Sequence, residues 1–285
     1  REDLDVHAVA LAQLGRSGPR SVGVSGDQHQ VVAPLGQSTG EGGADAGGAA
    51  GDECGRHGGT LPGRRGGRRS PCAGCAARGR ALRSDMETAE TMLQAAEAFV
   101  ALVSEIPQDS WDLPALGVWN VRALVGHTAR AVTTVLDYLG DVRDVVDLES
   151  AAHYLAAGYR TDRSIHEAVA QRGVEAGKEL GDEPGEVIEM MIERLRVAVA
   201  GTDGDLVIGT RFGAIRLGDY LETRTVELVV HTSDLALAVG REPHLPEAAV
   251  QRTLHVISDA AVLNGRGLAA VRQLSARDGS AFVLV

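Results

Sequence analysis

Arg224-Thr225-Val226-Glu227-Leu228-Val229-Val230-His231-Thr232-Ser233-Asp234-Leu235 lies near the end of the last long apolar-periodic stretch of this 285-residue chain. Glu227 and His231 are four residues apart. On a helix that spacing sets both side chains on one face, one turn apart. Tyr220, Arg224, Leu235 and Ala238 share the face. A carboxylate and an imidazole therefore interrupt a stripe that should turn towards a core, where burial without a partner is costly. The pair is spaced to grip one metal ion if another part of the chain supplies a third ligand.

Working outward, the periodicity predicts helices over 86–105, 121–139, 186–200 and 217–239. The first carries Met92, Ala95, Ala96, Phe99, Val100 and Val103 at three-and-four spacing and stops before Pro107. The second is entered through Asn120, an N-cap residue type, and closed by Gly140. Its stripe is Leu124, Thr128, Ala131, Val135 and Tyr138, with His127 on the edge. Val187, Met190, Met191, Leu195 and Ala198 mark the third, and Gly240 ends the fourth. Residues 150–172 read as a more polar helix outside the core, and Leu206-Val207-Ile208 as a short extended piece in a Gly- and Asp-rich connection. Four amphipathic helices make an all-α, antiparallel four-helix bundle the simplest architecture, followed by a short C-terminal region over 241–285.

His127 is the natural third ligand. Two histidines and one glutamate are a ligand set of catalytic zinc sites that leaves a coordination position open, although the same groups also hold iron or nickel. A fourth protein ligand from His153, His166 or Glu222 would instead make a closed, structural site.

Residues 1–85 have a different character. They hold 19 of the 36 glycines, all three cysteines and none of the nine aromatic residues. Such a composition buries too little apolar surface to offset chain entropy. The first methionine is Met86, and one lysine stands against 27 arginines, as a GC-rich coding sequence produces. Residues 1–85 thus read as a disordered or non-native Gly/Arg-rich arm, and 86–240 as the metal-binding bundle. Cys72-Ala73-Gly74-Cys75 has redox or metal spacing but sits in that arm with no second pair. Residues 86–285 carry 17 basic and 30 acidic residues, which speaks against nucleic acid or an anionic membrane as a main partner. No run approaches a transmembrane length. The cysteine-free 86–285 suits a reducing cytoplasm and offers no thiol nucleophile of its own.

Trp119-Asn120-Val121-Arg122-Ala123-Leu124-Val125-Gly126-His127 resembles the W-T/S-V-x-x-L-x-x-H opening of the second helix in DinB-like proteins. Arg224-x-x-Glu227-x-x-x-His231-x-x-Asp234-Leu235 resembles the second signature of one branch, the mycothiol-dependent maleylpyruvate isomerase family. The resemblance covers roughly residues 88–285, with Asn120 in place of the usual Thr or Ser. It implies a DinB-type bundle in which His127, Glu227 and His231 bind a divalent metal, usually zinc. It also implies mycothiol as cosubstrate. Coordination lowers a thiol's pKa and presents the sulfur as thiolate. Addition to a small electrophile then gives isomerisation if the thiol leaves again, or S-transfer if it stays. On this reading Arg224 is the candidate catalytic residue, holding a carboxylate of substrate or cosubstrate. Asp234 is the candidate acceptor for the second ring N–H of a metal-bound histidine. A metal-dependent hydrolase and a non-enzymatic metal-binding bundle remain the alternatives. The oligomeric state is open.

Overall fold

The computed structural model describes residues 73–159 and 163–275. Most of the Gly/Arg-rich arm, including Cys72, lies outside them. Helix α1 spans Ala73–Ser104 and so begins 13 residues before Met86. The added turns are rich in Ala and Arg, good helix formers that carry no apolar stripe and so escape a search for periodicity.

Four helices close a ring of contacts. Helix α1 packs on α5, Pro184–Val199, and on α6, Leu217–Val239; α2, Val121–Tyr138, packs on the same two. These are the four segments expected from periodicity. Tyr220 near the start of α6 meets Thr134 and Tyr138 late in α2, while His231 meets His127 early in α2. Helices α2 and α6 therefore run antiparallel. Met92, Phe99, Leu124, Ile188, Leu195, Leu228 and Leu235 fill the space between the four and are almost wholly shielded from solvent.

The reading of 150–172 as a polar helix outside the core is corrected. The segment forms α3, Ala151–Tyr159, and α4, Arg163–Glu179, and α4 lies directly along α2. The reason is small residues rather than large apolar ones. A Cβ on Gly126 would stand 2.5 Å from Gly177 Cα and 2.7 Å from Ala176 C. One on Gly177 would stand 2.5 Å from the Arg122 carbonyl oxygen. Two glycines facing each other let the backbones touch, as no other residue type permits.

Two hairpins deliver residues to the bundle. Strands β1, Pro114–Leu116, and β2, Trp119–Asn120, pair antiparallel just before α2 and set Trp119 beneath it. Strands β3, Val207–Thr210, and β4, Gly213–Arg216, pair from Val207↔Arg216 to Thr210↔Gly213, so the extended piece expected at 206–208 is one arm of a hairpin. The C-terminal region contains α7, Glu247–Leu263, which packs on α6 and α3, and α8, Gly267–Leu274. Among the described residues, no helix is long and apolar enough to cross a membrane.

Candidate metal centre

Helix α2 starts where Asn120 caps it: the side-chain oxygen accepts the Ala123 N–H at 2.9 Å. His127 then falls two turns in, about 10 Å along the axis, and is held from below. The Trp119 ring stacks on its imidazole at 4.3 Å between centroids, and the Trp119 indole N–H donates to the Ala170 carbonyl at 2.9 Å. The β1–β2 hairpin, α2 and α4 thus fix one imidazole together.

Helix α6 supplies the other two groups from consecutive turns. Glu227 Oε2 lies 3.5 Å from His127 Nε2 and 3.4 Å from His231 Nε2. The ligand atoms of all three side chains lie within 4.8 Å of one another. A metal ion with bonds of about 2.1 Å in tetrahedral geometry requires ligand atoms about 3.4 Å apart. The two separations from Glu227 Oε2 match that edge. The donor set and its spacing therefore fit a divalent ion. Glu227 and His127 are half-buried and His231 is buried.

Asp234 stands where it can orient His231, its Oδ2 being 3.1 Å from Nδ1. With Nδ1–H donated to that carboxylate, Nε2 is the nitrogen turned to Glu227. Burial alone would lower the His231 pKa, but the bonds to Asp234 and Glu227 outweigh it and raise it to about 9. Burial would push Glu227 up; hydrogen bonds from His127 and His231 and the charge of Arg224 instead hold it well below the usual carboxylate range. Without a metal the cluster is thus an ionised carboxylate clasped by cationic and polar groups.

Arg224 is almost wholly buried. Its guanidinium sits 4.8 Å over the Tyr220 ring and 5.5 Å over the Tyr154 ring, and its Nε donates to Thr223 Oγ1 at 3.0 Å. Desolvation works against its charge, but Tyr220, Tyr154 and Glu227 around it keep it above its ordinary value. Burial likewise raises Tyr154.

The residues considered as a fourth ligand stand elsewhere. His153 Nδ1 is 3.0 Å from Ser150 Oγ, and Glu222 is ion-paired to Arg252 at 3.2 Å. His166 is buried in α4, outside the cluster. Instead, a cavity of about 170 Å³ lies against the triad. Its wall includes Arg224, Tyr138, Tyr154 and Tyr220, and three residues sequence reasoning passed over, Arg130, Arg172 and Arg211. Arg130 was readable, three residues after His127; Arg172 and Arg211 come from α4 and the β3–β4 turn, whose approach no periodicity announces.

Comparison with protein families gives a match that covers both sequence motifs of the site. The family described as mycothiol maleylpyruvate isomerase N-terminal domain matches residues 92–236, just over half of the 285-residue chain, and the matched stretch includes His127, Glu227 and His231. Comparison with curated proteins and with solved structures gives no match.

Proposed function

The chain belongs to the mycothiol maleylpyruvate isomerase N-terminal domain family, and from that premise we propose that it is a metal-dependent isomerase or S-transferase using mycothiol on a small electrophile. The observation that carries this reading is the convergence of His127, Glu227 and His231 beside a cavity. These three side chains would hold a divalent ion, with zinc the best fit to two imidazoles and a carboxylate and nickel or iron as alternatives. When bound, the ion supplies Lewis acidity that lowers the pKa of a thiol to the working pH.

The chain's own residues prepare the site. Glu227 is already ionised, and Arg224 beside it balances its charge. His231 must shed a proton before its Nε2 can act as a ligand, while Asp234 retains the Nδ1 proton and the ring's orientation. Trp119 fixes His127 by stacking. Tyr138, Tyr154 and Tyr220 line the cavity, and their rings would limit water around a bound thiol's sulfur. Arg224 also lines the cavity and is the proposed contact for a ligand carboxylate. Residues 86–285 contain no cysteine, so the sulfur arrives with the cosubstrate. A reducing cytoplasm is the compartment proposed for a reaction that consumes a free thiol.

The test is turnover of electrophiles by the zinc-reconstituted protein with and without mycothiol. Thiol-dependent loss of the electrophile is expected. Equal turnover without thiol would show a hydrolase instead.

A further inference from the structure

Arg130 stands one turn beyond His127 on the cavity side of α2, Arg172 comes from α4, and Arg211 from the tip of the β3–β4 turn. Three separate elements thus bring a guanidinium each to one cavity. They sense one another: burial, then the charges of Arg211 and Arg130, lowers Arg172 below its ordinary value. Among the described residues none of the three forms an ion pair, in a chain where 39 acids face 28 basic residues. Arg143, Arg196, Arg216 and Arg252 all find a carboxylate. Glu175, one turn from Arg172, takes a hydrogen bond from Gln171 at 2.9 Å. Arg211 lies against the Phe212 ring at 5.1 Å, which restrains it at the cavity mouth without neutralising it. Arg224 is not part of this excess, because Glu227 offsets it.

Like charges gathered around one partly buried cavity repel unless an anion joins them. We propose that Arg130, Arg172 and Arg211 form a subsite for a doubly charged oxyanion group, a phosphate or a pair of carboxylates. That group belongs to the small molecule whose reactive end lies at the metal triad. Guanidinium forks match oxyanions bidentately, and three converging cations select a dianion over a monoanion. The identity of the molecule as the electrophile rests on the function proposed above; the binding of the anion does not.

The test is calorimetric titration of the full chain, stripped of metal with a chelator, with inorganic phosphate, succinate, malonate and acetate. The expected result is that at least one dianion binds about tenfold or more tightly than acetate, and that Arg172→Gln and Arg211→Gln each weaken it by about tenfold, as loss of a charged hydrogen bond does. Phosphate alone would identify a single-centre oxyanion, and succinate or malonate a pair of carboxylates; either supports the subsite. Acetate binding as tightly as every dianion, or dianion affinity unchanged in both variants, would overturn it. Circular dichroism checks each variant's fold, and Arg211→Gln, on an exposed turn, decides the matter if Arg172→Gln does not fold. Zinc is titrated separately. Anion binding without zinc binding overturns the metal centre and leaves the subsite standing, and zinc binding without anion binding does the reverse.

Discussion

Gly126→Ala tests the close approach of α2 and α4 and its hold on the site. On helix propensity alone the substitution should stabilise the protein by about 0.8–1.0 kcal/mol. The new methyl, however, would lie 2.5 Å from Gly177 Cα and 2.7 Å from Ala176 C, both backbone atoms that no rotamer change can move. Carbon atoms rest about 3.5–4.0 Å apart, so the helices must separate by about 1 Å. Overpacking of this kind costs about 1–3 kcal/mol or more, because the neighbouring contacts loosen with it. The expected net loss is about 1–2 kcal/mol, a fall in Tm of about 2–8 °C for a domain of this size. His127 is the adjacent residue, so zinc affinity should fall as well. Gly140→Ala is the control: a Cβ there meets nothing within 4 Å, and the change should stay within about 0.5 kcal/mol. Thermal melts of both variants, followed by far-UV circular dichroism, give the answer. A Tm for Gly126→Ala equal to or above wild type would refute the backbone contact and the role given to these glycines.

Two further outcomes follow from the electrostatics. In metal-free protein the His231 pKa is raised to about 9 from an ordinary 6.5, so its contribution is fully present below pH 6.5 and lost as pH rises through about 9. Denaturation midpoints of chelated protein should fall across that window, His231→Gln should flatten the fall, and zinc binding near pH 7.5 should release about one proton, measurable by calorimetry in two buffers. Asp234→Asn removes the carboxylate that accepts the His231 Nδ1 proton. Zinc affinity should drop about 10–100-fold with the helical signal unchanged; an unaltered affinity would leave Asp234 without an orienting role.

What the sequence disclosed divides along physical lines. Helices α1, α2, α5 and α6 turn large apolar side chains inward at a helical period, and that period survives in the residue order. Helix α4 joins through Gly173, Gly177 and Ala170 against Gly126 and Trp119, where the absence of side chain makes the contact. Hydrophobic patterning cannot register that. The convergence of His127, Glu227 and His231 was legible because Glu227 and His231 share one helix face and His127 sits on the edge of an apolar stripe. Trp119 was visible as part of a motif, but its stacking on His127 depends on a hairpin too short to announce itself. The cationic wall was hidden for the same reason as α4: two of its three arginines reach the cavity from elements whose docking is set by glycines and a tight turn.

The account stands on the metal centre, and metal content tests it most directly. Purified full-length protein reconstituted with zinc and desalted should carry one ion per chain by plasma mass spectrometry, with X-ray absorption showing nitrogen and oxygen ligands at about 2.0–2.2 Å. His127→Ala, Glu227→Gln and His231→Ala should each lose that ion while keeping the helical circular dichroism. Failure of the wild type to retain stoichiometric zinc, nickel or iron, or retention of the ion by all three variants, would contradict the account.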